Sequence, residues 1–133
     1  MYSTVPRLQA EGADLSKIQF FVAVPGENGA RALDLNRDAD RIGKHLERNP
    51  RTKLLIIDPI SAVMGGIDSH KNAEVRAVLH PLADVARRYG VCVLAVTHLN
   101  KGTGGKALHR VIGSIAFTAA ARVAYAVAKI ENQ

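Results

Sequence analysis

Four short apolar runs, separated by stretches of helical periodicity, restrict the fold of this chain more than any other feature. Residues 18–24 (IQFFVAV), 53–58 (KLLIID), 91–98 (VCVLAVTH) and 123–130 (VAYAVAKI) are mostly apolar, the pattern of strands buried on both faces. Between them, Leu35, Ala39, Ile42 and Leu46 recur at three and four residues, with Asp34 or Asn36 as N-cap and Asn49-Pro50 as a stop. A second helix spans about residues 70–89, with Val75, Val78, Leu79, Leu82, Ala86 and Tyr89 on one stripe and Gly90 as its left-handed end. Pro81 interrupts that stripe, which predicts a kink or a second helix start. Residues 112–122 (IGSIAFTAAAR) predict a third helix whose small residues allow close packing. Strands alternating with helices predict an α/β fold, a layered, mostly parallel sheet flanked by helices and joined by right-handed crossovers.

A length of 133 residues limits the chain to one domain. With 47% apolar and 23% charged residues the composition is globular rather than disordered. Its apolar runs are far shorter than the ~20 residues of a membrane span. The start MYSTVPRLQAEGAD has no basic segment followed by an apolar one, and the single cysteine, Cys92, lies within an apolar run. The expectation is a cytoplasmic protein without disulfides and without a membrane partner.

Charge is unevenly placed. Residues 1–84 hold 11 basic and 11 acidic side chains, whereas residues 85–130 hold Arg87, Arg88, Lys101, Lys106, Arg110, Arg122 and Lys129 and no acid. With Glu131, that last third carries the whole net charge of +6. Such asymmetry points to a polyanion, either nucleic acid or nucleotide phosphate. A solvated basic surface without a partner is the alternative.

In parallel α/β sheets ligands gather where strands end, which singles out residues 25–29, Asp58-Pro59, Thr97-His98 with the loop after it, and residues 129–132. Leu54 to Ile57 form a dry strand ending in Asp58, which suits an acid held rigidly to fix Mg²⁺ or its water beside nucleotide phosphates. On the strand alone, a loop-capping role for Asp58 is equally open. The stretch THLNKGTGGK, residues 97–106, adds a histidine, two lysines and three glycines without an acid, a combination that lets backbone and point charges approach a polyanion. A flexible surface loop has the same composition. His98 could sense a terminal phosphate or serve structurally. Arg110, Gly113, Ser114 and Arg122 close the basic region. Arg122, at the end of an Ala-rich helix, either reaches water or is offered to a neighbouring subunit's nucleotide.

Together the strings LLIIDPISAVMGG, DSHKNAEVRxVLxPLADVA, VTHLNKG and RVIGSIAFxAAARV resemble the later two-thirds of a RecA-like ATPase domain, and more narrowly the RepA-type hexameric replicative helicases and related AAA-type ATPases of plasmids, phages and mobile elements. The likeness covers about residues 7–130. It implies a RecA-like P-loop NTPase fold, ATP and Mg²⁺ as cofactors, single-stranded DNA as partner and a ring oligomer. It also implies Asp58 as the Walker B acid and metal ligand, His98 as the sensor and Arg122 as the arginine finger. Residues 101–110, with Lys101, Lys106 and Arg110, and beyond them Ser114, would face nucleotide or DNA at the ring interface.

The departures are specific. Such ATPases cradle phosphates with GxxxxGK[ST], and no such string occurs here. Gly43-Lys44-His45 lacks the hydroxyl residue and falls in a helical pattern, and Gly105-Lys106-Ala107 follows the Walker B strand instead of preceding it. The family's water-activating glutamate would lie upstream of residue 1. Glu11, on a short Leu/Ala helix after Pro6, is not assigned that role. The expectation is therefore a single, N-terminally incomplete RecA-like domain over residues 1–133, inactive alone.

A non-enzymatic module that binds nucleic acid or oligomerises, with Asp58 as a cap, is the alternative. A phosphoacceptor receiver would use Asp58, Thr97 and Lys129 but needs an acidic pair after the first strand, which residues 20–26 lack. An absent first strand predicts an exposed edge or apolar face and hence self-association.

Overall fold

The computed structural model describes residues 4–21, 23–68, 71–97 and 115–127. It divides into two compact units, Met1–Leu33 and Asp34–Gln133.

In the first unit, α1 (Thr4–Ala10) buries none of its residues. It closes at Gly12, whose φ of +73° lets the amides of Gly12 and Ala13 reach back to the carbonyls of Gln9 (3.0 Å) and Leu8 (2.9 Å). A 3₁₀ turn, Leu15–Lys17, follows on Asp14, whose carboxylate accepts from the Ser16 amide at 3.0 Å and the Ser16 hydroxyl at 2.6 Å. The Ser16 hydroxyl above all, then Lys17, holds the Asp14 carboxyl below the ordinary carboxylate range. Strands β1 (Val24–Gly26) and β2 (Gly29–Arg31) form an antiparallel hairpin with Val24 opposite Arg31. Of the strand expected over residues 18–24, the described residues before Val24 lie outside any strand, and Phe20 and Phe21 are exposed. The glycines that flank Glu27-Asn28 favour a tight local hairpin, which moves strand pairing towards the C-terminal side of the apolar run.

The second unit begins with α2 (Leu35–Arg48), capped by Asp34, whose carboxylate accepts the Asn36 amide at 2.9 Å. The helix stops at Asn49, whose backbone amide and side-chain amide bond the His45 carbonyl at 3.0 and 2.9 Å. Strand β3 (Leu54–Ile57) pairs in parallel with β4 (Cys92–Ala95), Leu54 opposite Cys92 and Ile57 opposite Ala95. Between them run a 3₁₀ turn (Ile60–Val63) and α3 (Asn72–Tyr89), and α4 (Ala116–Ala120) follows. Helix α3 passes through Pro81 as one element and closes on Gly90 at φ +62°. Val75 and Val78 before the proline and Leu82 after it share one core, which holds the helix on line where a backbone bond is lost.

The core of this unit is built from the predicted stripe of α2 (Leu35, Ala39, Ile42, Leu46), those three residues of α3, and Ile57, Ile60, Met64, Val91 and Ala116. Helix α2 packs on α3, and α3 on α4. The sheet is not buried on both faces as expected. Leu54, Ile56 and Leu94, on one face, remain 49%, 57% and 46% exposed, whereas Ile57 on the other is buried. Residues 123–127 of the fourth predicted strand lie outside any strand, because among the described residues β3 and β4 pair only with each other. The described part of the third predicted helix is helical only over α4.

Gly65 ties the loop after β3 to the start of α2. Its φ is +68°, and a Cβ there would stand 2.5 Å from an Asp34 carboxylate oxygen. Gly65→Ala is therefore expected to cost about 2–4 kcal/mol in urea unfolding, from left-handed strain and overpacking, and Asp34→Ala about 1 kcal/mol from the lost cap. The double variant should cost less than the sum, since the atoms the methyl would strike are gone. Strict additivity would mean that this contact does not form.

Candidate functional site at the carboxyl end of the parallel pair

The parallel ladder continues beyond both strands. The Val96 amide donates to the Ile57 carbonyl and the Ile60 amide to the Val96 carbonyl, both at 2.9 Å. These two bonds clamp the chain on either side of Asp58-Pro59, a cis peptide, and put Asp58 and Thr97 at neighbouring strand ends.

The Asp58 side chain is exposed and makes no hydrogen bond or ion pair among the described residues. Pro59, the residue before the 3₁₀ turn, has no side-chain cap. A capping role for Asp58 thus lacks its bond, and the carboxylate stands available at the end of a rigid strand.

Two helix starts lie at the same end, because α2 finishes where β3 begins and α3 returns from the end of β3 to the start of β4. At α2, Asp38 is fully buried, accepting the Asp34 amide at 2.9 Å and pairing with Arg41 at 3.2 Å. At α3, Glu74 accepts the Asp68 amide at 3.1 Å and pairs with Lys71 at 3.0 Å. Lys71 foremost, then that amide, holds the Glu74 carboxyl below its ordinary range, and Glu74 in turn raises Lys71. Both carboxylates are occupied in holding helix starts, so neither competes with Asp58 for a ligand.

Among the described residues no three of His, Cys, Asp and Glu gather into a metal site. A single carboxylate nevertheless fits Mg²⁺ bound to a nucleotide, since that ion keeps waters and phosphate oxygens and takes only one or two carboxylates from a protein. The donor set at Asp58 suits a shared ion and not a resident one.

Of the other predicted site residues, Arg122 lies exposed just beyond α4 and makes no ion pair among the described residues. His98, Lys101, Lys106, Arg110 and Ser114 lie outside the described residues, as does Lys129 of the receiver alternative. The first predicted strand end, residues 25–29, is part of the β1–β2 hairpin and not the end of a parallel strand. Gly43 of the Gly-Lys pair sits inside α2, where a Cβ would come 3.3 Å from the Tyr89 ring. It serves helix packing.

No helix among the described residues is long and apolar enough to cross a membrane. A family model described as an AAA domain matches residues 3–104. No curated protein and no solved structure matches the chain.

If Asp58 is a ligand-binding group and not a cap, Asp58→Ala should leave the unfolding midpoint almost unchanged, within about 0.5 kcal/mol. A loss of about 1 kcal/mol or more in thermal melts would restore the capping role.

Proposed function

Because the chain belongs to the AAA domain family, whose members are ATPase-related, we propose that it supplies the Walker B half of a RecA-like ATP site in a DNA-associated motor of the RepA-type hexameric helicase class. One observation carries this assignment. An exposed carboxylate without a partner among the described residues, Asp58, stands at the carboxyl end of the strand that pairs in parallel with the next.

ATP with Mg²⁺ supplies the reacting phosphates when bound, and Asp58 would hold the ion or a water on it. His98, one residue beyond Thr97, is assigned to sensing the terminal phosphate. Lys101, Lys106, Arg110 and Ser114 are assigned to phosphate contacts with nucleotide or single-stranded DNA. Arg122, exposed and without an ion pair among the described residues, is assigned to a neighbouring subunit's nucleotide, where a guanidinium offsets charge that develops in phosphoryl transfer. The uncovered face of β3–β4 supports self-association, since parallel sheets are ordinarily covered on both sides.

The sequence contains no GxxxxGK[ST] string. A carboxylate without a phosphate cradle leaves the substrate unpositioned, and positioning provides most of the catalysis in phosphoryl transfer. This chain alone is expected to release no phosphate from ATP above background. Mg²⁺-dependent turnover lost on Asp58→Ala would overturn that expectation. Sedimentation equilibrium should show a dimer or larger species, and a clean monomer at high concentration would remove self-association.

A further inference from the structure

The cations of the second unit fall into two classes. Arg37, Arg41, Lys71 and Arg87 each pair with an acid three residues away, at 3.5, 3.2, 3.0 and 2.8 Å. Lys44, Arg48, Arg51, Lys53, Arg76, Arg88 and Arg122 are exposed and make no ion pair among the described residues. Five of these seven, all but Arg76 and Arg122, lie towards one end of the unit, around the last turns of α2 and α3 and the turn that leads into β3.

That end holds a cleft of about 310 Å³ lined by Leu46, Glu47, Asn49, Pro50, Thr52, Arg88, Tyr89 and Val91. Arg48, Arg51 and Lys53 alternate along the chain with its lining residues, and Arg88 belongs to its wall. The turn is fixed by the Thr52 amide bonding the Asn49 carbonyl at 3.0 Å, and Lys53 by its carbonyl accepting from the Cys92 amide at 2.9 Å. Glu47 is the single acid among the described lining residues. Helix ends account for Arg48 and Arg88, since cations favour the negative C-terminal end of a helix. They do not account for Arg51 and Lys53, which lie beyond α2.

We propose that this cleft end is a contact surface for the phosphodiester backbone of a single nucleic-acid strand. Lys44, Arg48, Arg51, Lys53 and Arg88 would supply the charge, and the Thr52 hydroxyl a further phosphate contact. It lies at the opposite end of β3 from Asp58, about 16 Å away at the usual rise of a strand, so no one phosphate touches both. A membrane surface fits less well, because the aliphatic side chains that line the cleft, Leu46 and Val91, are buried and not free to insert among lipids. The surface is separate from the loop over residues 101–110 and deepens the DNA association proposed above, on which it rests.

Fluorescence anisotropy of a labelled oligo-dT strand, titrated with the full chain across a salt series, tests this. The triple variant Arg48→Ala, Arg51→Ala, Lys53→Ala should lose about 2 from the log–log salt slope, at about 0.7 per single-strand phosphate contact. Its affinity at low salt should fall at least about tenfold, with an unchanged circular-dichroism spectrum and melt. Wild-type binding by this variant, while Lys101→Ala, Lys106→Ala, Arg110→Ala abolishes binding, would overturn the cleft surface and leave the loop assignment standing. Loss in the first variant with retention in the second supports the cleft and removes the loop. No binding by the wild-type chain overturns both. Binding confined to phosphatidylserine vesicles and lost in the first variant would overturn the proposal in favour of a membrane.

Discussion

Hydrogen bonding between β3 and β4, and its continuation past both strands, is the constraint on which the second unit depends. The bond from the Cys92 amide to the Lys53 carbonyl fixes one end, and the exchange among Ile57, Val96 and Ile60 fixes the other. A parallel pair cannot be closed by a tight turn, so the chain must run back along the sheet before β4 can form. The helix that does so, α3, brings its start to the Asp58 end and its finish to the cleft end. Helix α2, which precedes β3, has the same sense. Both ends of the unit therefore acquire their chemical character from one ladder, with a carboxylate and helix starts at one and cations at the other.

Two glycines let the helices settle onto that ladder. Gly65 brings the loop after β3 against the Asp34 carboxylate, and Gly43 admits the Tyr89 ring against α2. The first joins the segment carrying Asp58 to the cap of α2. The second joins the finishes of α2 and α3 beside the cleft. Gly43 forms no phosphate-gripping turn, although Gly43-Lys44 has the look of a fragment of such a motif. What separates the two cases is the backbone, since Gly43 is regular helix inside α2.

Much of this was legible in the residues. The stripe Leu35, Ala39, Ile42, Leu46 is buried as its spacing implies, Asp34 caps α2, Gly90 ends α3, and the strand ending at Asp58 lies beside the one leading to Thr97. The outer two predicted strands were not legible, because an apolar run says that a segment can pair and nothing about whether a partner edge exists. Residues 18–21 and 123–127 are apolar and lie outside strands. Pro81 misled in the other direction, since local backbone chemistry predicts a break that packing of Val78 and Leu82 overrides. Arg88 belongs to the basic last third, but the other four cleft-end cations are hidden in the sequence because residues 1–84 balance in total charge. Their signal is local, four cations (Lys44, Arg48, Arg51 and Lys53) against the single acid Glu47 within ten residues.

The open face of the sheet has a thermodynamic consequence. Leu54, Ile56 and Leu94 are already partly hydrated in the folded chain, so unfolding exposes less new apolar area there than in a sheet covered on both sides. The heat capacity of unfolding is correspondingly reduced, because that quantity follows newly hydrated apolar surface. Whatever lies down on those three side chains removes their water on association and not on folding. The event carries a negative heat-capacity change of its own, and its driving force is largely entropic near room temperature and weakens on cooling.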